Sequence, residues 1–257
     1  MKVPERDPWV IRVAGSTHIR WVGVVALATL LSGCSGSSLG PPSPVTTQGK
    51  DISSLWSVFV SVAAVVGLLV MGLIVFAIMR YRRRSDDEEL PTQFRYNIPL
   101  EVIYTGVPIL IVIVLFVLTA GVITRVNSVA PDPDLVVKVT GFQWDWQFDY
   151  PEYGITVVGE PGLDPTLVLP VDEDIQLELT SADVIHSFYV PEFFEKRDVF
   201  PGTIDKIDIH LTEEGEYVGR CAEFCGTYHD RMLFNVRAVS AADFEAWVSE
   251  QAKVSDG

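Results

Sequence analysis

Cys221-Ala-Glu-Phe-Cys225-Gly-Thr-Tyr-His229-Asp-Arg-Met232 places two thiols, an imidazole and a thioether within twelve residues, and a second imidazole, His186, stands upstream in Asp183-Val-Ile-His186-Ser-Phe188. Thiolates and thioethers are soft donors that favour copper over hard cations, while imidazole suits copper or zinc. A mononuclear electron-transfer copper site uses one Cys, two His and a weak axial Met. The second Cys is surplus to that set and points to two metals, with two thiolates bridging a pair of copper ions and one imidazole terminal on each. Met232 and the backbone carbonyl of Glu223, between the two thiols, then remain as weak axial ligands. Two simpler uses of these residues compete. Cys221 and Cys225 could pair as a disulfide in an oxidising compartment. They could also be half of a zinc site, although structural zinc rarely uses Met.

A loop of ligands needs a frame, and the surrounding sequence reads as strands. Residues 135–140, 175–180 and 205–211 are β-rich with a period of two, Gly215 turns the chain into Tyr217-Val218, and residues 234–239 follow the metal loop. Trp144, Trp146, Phe148 and Tyr150 alternate as well, which would set all four on one packed face and Asp145, Gln147 and Asp149 on the other. Ser240 followed by Asp243 opens a final helix with Phe244, Trp247 and Val248 on its apolar face. Many short strands within about 127 residues suit a β-sandwich or Greek-key barrel. Folding into such a domain can bring His186 and Cys221 together despite their separation in sequence. Of the four histidines, His18 lies in the segment expected to leave as an export signal and His210 in an alternating strand away from the loop, which leaves His186 and His229.

Charge and hydropathy are segregated along the chain. The net charge is −15, yet 48% of residues are hydrophobic. Residues 131–257 hold 26 acidic and 8 basic side chains, an excess of 18 negative charges that excludes nucleic acid as a partner and suits a basic one. The apolar excess lies earlier. Residues 55–79 and 102–123 are uncharged runs, the first long enough as a helix to span about 37 Å and cross a bilayer. Between them, in loop 80–101, lie Arg80, Arg82, Arg83, Arg84 and Arg95, which mark that loop as cytoplasmic. Pro108 lies within the second run, where it would kink a helix. Glu101 at the mouth of that run is favoured by the helix dipole, with Asn97 as cap. Residues 1–33 read as an export signal with a basic start and a short apolar core, ending Leu31-Ser32-Gly33-Cys34. That ending resembles a bacterial lipobox, so Cys34 is expected to carry lipid, followed by an extracytoplasmic linker over 34–54.

The pattern Cys-x-Glu-x-Cys-x-x-x-His-x-x-Met with the upstream Asp-Val-Ile-His-Ser resembles the dinuclear CuA site of the cytochrome c oxidase subunit II family. The hairpin over 55–126 and the aromatic run from Trp144 to Tyr150 extend that resemblance over nearly all the chain after residue 50. It implies a membrane-anchored, all-β architecture in which a two-helix transmembrane hairpin precedes a cupredoxin-like domain at 127–257. It also implies two copper ions held by His186, Cys221, Glu223, Cys225, His229 and Met232. Trp144 would be the point where electrons enter, although the Tyr usual between the two Trp residues is Asp145 here. Glu101 would stand at the mouth of a proton-uptake channel, and the Glu223 carboxylate would help bind magnesium at the contact with subunit I. The implied partners are subunit I, other oxidase subunits and a soluble or membrane-anchored cytochrome c, at a bacterial cell membrane. A nitrous-oxide reductase shares the metal motif without needing the hairpin, and a quinol oxidase subunit II shares the hairpin and sandwich without the copper ligands. A thioredoxin-like copper-delivery protein would show a βαβ pattern that is not seen here. No Cys-x-x-Cys-His occurs, so no fused c-type haem is expected.

Overall fold

The computed structural model describes residues 40–82, 93, 95–160 and 162–255. The expected export signal, Cys34, Arg83 and Arg84 lie outside the described residues. Among the described residues two long helices come first, α1 (Thr47–Arg80) and α2 (Ile98–Val126), both long and apolar enough to cross a membrane. Their side chains are largely exposed, Leu68 at 75% and Phe116 at 70%, as an apolar surface facing lipid or another apolar partner would be.

Among the described residues ten strands follow: β1 (Leu135–Phe142), β2 (Asp145–Tyr150), β3 (Ile155–Val158), β4 (Thr166–Pro170), β5 (Asp174–Ser181), β6 (His186–Val190), β7 (Glu195–Val199), β8 (Asp205–His210), β9 (Gly215–Cys221) and β10 (Leu233–Val239). They form two five-stranded sheets, in the orders β3-β2-β1-β5-β8 and β4-β10-β9-β6-β7. The pairs β1–β5 and β4–β10 are parallel and the rest antiparallel. Alternation makes the sandwich, because every second residue of a strand points to one face. In β1, Leu135, Val137 and Val139 are buried while Lys138 faces out. Trp146 and Phe148 from one sheet meet Phe234 from the other with ring centroids 5.3 and 5.6 Å apart. The helix α3 (Ala241–Ser255) covers β4, its Trp247 lying 5.0 Å from Tyr150. Ser240 caps it as expected, accepting from the Asp243 amide at 3.2 Å and donating to its carboxylate at 2.8 Å.

The hairpin departs from expectation at its start. Helix α1 begins at Thr47, within the segment read as linker, because residues 45–50 are clamped into the sandwich. Val45 is buried, its amide donates to Glu192 O at 3.1 Å, and its carbonyl accepts from Thr212 N at 2.9 Å. The Thr46 hydroxyl caps α1 by accepting from Gly49 N at 2.9 Å. A Cβ on Gly49 would come within 2.9 Å of Phe193 O, so this approach requires glycine. At the other end of the hairpin Arg197 of β7 donates to the Asn127 side chain at 3.1 Å. Arg125 pairs with Asp51 at 2.9 Å and so joins the two helices.

Candidate metal centre

Strands β6, β9 and β10 are neighbours in one sheet, and all the candidate donors gather at one end of it. His186 is the first residue of β6, Cys221 the last of β9, and the loop between β9 and β10 carries the rest. That loop closes on itself, the Cys221 amide donating to Met232 O at 2.9 Å, and is tied to β6 by Ala222 N donating to Ser187 O at 3.0 Å. His186 and Met232 are fully buried, and Cys221 and Cys225 nearly so.

The two sulfurs are 3.8 Å apart and both thiols are free. A disulfide would bring them to about 2.05 Å. His186 Nδ1 lies 3.9 Å from the Cys221 sulfur, and His229 Nδ1 lies 3.5 Å from that of Cys225. Glu223 O accepts from the Cys221 thiol at 3.2 Å, and the Met232 sulfur is 3.8 Å from Cys225. The ligand atoms of His186, Cys221 and Cys225 all fall within 4.8 Å of one another. All six residues expected at the site are therefore together. Two thiols, two imidazoles, a thioether and a carbonyl form a soft donor set that fits copper.

The electrostatics are arranged around ionised sulfur. Burial pushes the Cys221 thiol up, but hydrogen bonding to His186 and to the Glu223 and Ser187 backbones outweighs it, and the net shift is downward. Burial raises Cys225, and the Cys221 charge raises it further, so without a cation the two do not readily ionise together. Burial alone would lower His186, yet its bonds to Cys221 and Asp183 carry it upward. His186 Nε2 lies 2.8 Å from Asp183 Oδ1, which leaves Nδ1 turned to the sulfur. Asp183 is itself fixed by the amides of Gln143, at 2.7 Å, and Val184, at 2.6 Å. Burial raises its pKa, but the bond to His186, followed by those to the two amides, outweighs it and the net shift is downward.

Trp144 does not share the face of Trp146, Phe148 and Tyr150. Those three are fully buried, whereas Trp144 lies in the two-residue turn between Phe142 and Asp145, half-buried against the metal loop. Its indole N–H donates to Cys225 O at 3.2 Å, and the Gln143 side chain donates to the same oxygen at 2.8 Å. The Glu223 carboxylate is exposed, 3.6 Å from Lys196 Nζ. Glu101 lies far along the chain in the first turn of α2, where it forms a reciprocal cap. Its carboxylate accepts from Asn97 N at 3.0 Å, and Asn97 Oδ1 accepts from Leu100 N at 3.3 Å. His210 is apart from the site and pairs with Asp174 at 2.8 Å. The sequence assigns no role to Gln143 or Tyr228, and it shows Asp183 only as part of the motif around His186. Of these, Asp183 carried a signal, an acid one helical turn or one tight loop before the ligand His186.

The chain matches the family model "Cytochrome C oxidase subunit II, transmembrane domain" over residues 38–120 and "Cytochrome C oxidase subunit II, periplasmic domain" over residues 135–239. A probable cytochrome c oxidase subunit 2 of Streptomyces avermitilis is 38% identical over 253 residues, covering 84% of this chain and 79% of the relative. Cytochrome c oxidase subunit 2 of Mycobacterium bovis is 36% identical over 287 residues, covering 88% and 79%. Among solved structures, the periplasmic domain of cytochrome oxidase subunit II of Bradyrhizobium japonicum is 34% identical, with a TM-score of 0.45 over 49% of this chain and 98% of that one.

Proposed function

The chain belongs to the cytochrome c oxidase subunit II family, part of a haem–copper oxidoreductase complex, and from that membership we propose that it takes electrons from a cytochrome c at a dinuclear copper centre. It passes them to haem in subunit I, where oxygen is reduced to water with proton pumping. The observation that carries this is the approach of two free, buried thiols to 3.8 Å, with an imidazole nitrogen turned to each. When bound, the copper pair supplies a one-electron redox centre spread over two ions. This chain's residues do the rest. Cys221, Cys225, His186 and His229 would hold the copper, and Met232 and Glu223 O would add weaker donors. Asp183 orients His186, and burial keeps bulk water from the sulfurs.

Trp144 receives the electron from the donor, its half-buried ring linked to the metal loop through Cys225 O. The Glu223 carboxylate contributes to a magnesium site shared with subunit I, which requires it to part from Lys196. Glu101 admits protons at the cytoplasmic mouth of α2, which requires its cap with Asn97 to open. Residues 1–33 direct export and Cys34 is lipidated in a bacterial cell membrane. The hairpin then crosses with loop 80–101 in the cytoplasm and domain 127–257 outside.

Metal analysis and electron spin resonance of the detergent-solubilised full chain test the central reading. Two coppers per chain, with one unpaired spin shared by both nuclei, is the expected result. One copper, or a spin confined to one nucleus, overturns it. Mass spectrometry of the mature protein should find acyl chains on Cys34, and an unmodified Cys34 would remove the lipid anchor from the scheme.

A further inference from the structure

Beside Trp144 opens a cleft of about 750 Å³ whose walls include Tyr228, Arg231 and the carboxylates Asp145, Asp164 and Asp230. Tyr228 is 49% exposed, yet its ring is held on two sides. It stands perpendicular to the Trp144 ring with centroids 5.1 Å apart, and the Arg231 guanidinium lies over it, 5.7 Å from the ring centre. An exposed aromatic already fixed in one orientation loses little side-chain freedom when a partner covers it, and such aromatics are where binding energy concentrates. The cleft also carries a clustered negative charge. The Asp145 pKa is raised chiefly by burial, opposed by the Trp146 amide, and raised further by Asp164. A cationic partner relieves that crowding.

We propose that Tyr228 is the specificity-determining contact for the electron donor, a flat surface that seats the exposed apolar haem edge of a lysine-rimmed c-type cytochrome against Trp144. This deepens, and rests on, the reading of Trp144 as the acceptor of the donor's electron. One electron leaves the donor's ferrous haem, which becomes ferric, and reduces the metal centre. Tyr228 keeps its proton and its electrons and acts only by contact. The acidic cleft attracts the rim of the donor, and the paired rings fix the distance and orientation of its haem.

The test uses the intact, detergent-solubilised oxidase and a soluble, lysine-rich class I cytochrome c. The dissociation constant is measured calorimetrically with the ferric form, and reduction of the centre by stopped flow with the ferrous form. Tyr228→Ala should raise the dissociation constant about ten-fold or more, as loss of an aromatic binding anchor does, with the absorption spectrum of the metal centre unaltered. Tyr228→Phe, which keeps the ring, should rescue binding to within about two-fold, a difference of only a few tenths of a kcal/mol. A dissociation constant unchanged in Tyr228→Ala overturns the proposal. If Tyr228→Ala disturbs the spectrum, Tyr228→Leu decides instead, because it fills the space without a flat ring, and parental binding by that variant overturns the proposal equally. Failure of the underlying reading looks different: Trp144→Phe would reduce at the parental rate, while binding by the Tyr228 variants would still decide the role of Tyr228.

Discussion

The Trp144 indole nitrogen lies 3.2 Å from the carbonyl oxygen of Cys225, so the turn between β1 and β2 is hydrogen-bonded directly to a residue of the metal loop. The two residues are 81 apart in sequence. Trp144→Phe keeps an aromatic ring there but removes the N–H. Donor binding should stay close to parental, while the rate of reduction within the complex should fall by at least about ten-fold, equivalent to roughly 1.4 kcal/mol in the barrier. Stopped-flow reduction at saturating donor measures it, and a parental rate would take Trp144 off the path.

Gly226 makes that contact sterically feasible. Its φ is +121°, and a Cβ there would meet Trp144 Nε1 at 3.1 Å and Gln143 Nε2 at 3.2 Å. Gly226→Ala therefore combines a backbone conformation that L-residues avoid with a displaced turn. A loss of about 1–3 kcal/mol in stability is expected, seen as a lower urea midpoint, together with a changed absorption spectrum of the bound metal.

Asp183 acts on the site through His186. Asp183→Asn replaces a charged acceptor with a neutral amide and weakens the hold on the imidazole tautomer. Copper affinity, measured by competition with a chelator, should fall about 10–100-fold. An affinity within two-fold of parental would show that the β6 backbone alone orients the ring.

Glu195 in β7 sets a pH dependence away from the metal. Its pKa is raised above the ordinary 4.5, chiefly by burial and against the opposing pull of its bonded partner Arg197. A carboxyl whose native pKa is raised holds its proton more tightly when folded. Stability is then greatest below the unfolded value and is lost as pH rises through the raised native value. Glu195→Gln should flatten that decline, by no more than about 1.4 kcal/mol per pH unit across that window, in unfolding curves recorded across the acid range. The Gln side chain keeps an oxygen to accept from Arg197, so the tie between β7 and Asn127 should survive.

The donor set was legible in the sequence because a metal loop is local. Cys221, Cys225, His229 and Met232 sit within twelve residues, and their softness is a property of residue type. The framework of β1, β5, β8, β9 and β10 was legible for a similar reason, since a half-buried strand writes its two faces into alternate positions. The hairpin was legible as two uncharged runs.

Sequence pattern could not locate the turn that takes Trp144 out of the aromatic face. Alternation continues through Trp144 and Trp146, and only the β1–β2 register, with Phe142 opposite Asp145, puts Trp144 in the loop. Nor could it start α1 at Thr47, because the polar stretch before residue 55 is held by Glu192, Phe193 and Thr212, all more than 140 residues away. The strands β3, β4, β6 and β7 do not stand out in the sequence: β3 is only four residues long, β4 and β6 are buried on both faces, and β7 is a charged edge, so none shows a clean alternation of useful length. What the sequence determined by itself was the chemistry available, which depends on residue type and short spacing. What the tertiary structure decided was which groups meet: Asp183 with His186, Gln143 and Trp144 with Cys225, Tyr228 with Trp144. Most of those meetings require two loops of the sandwich to reach the same end, and that is fixed by long-range strand pairing rather than by local spacing.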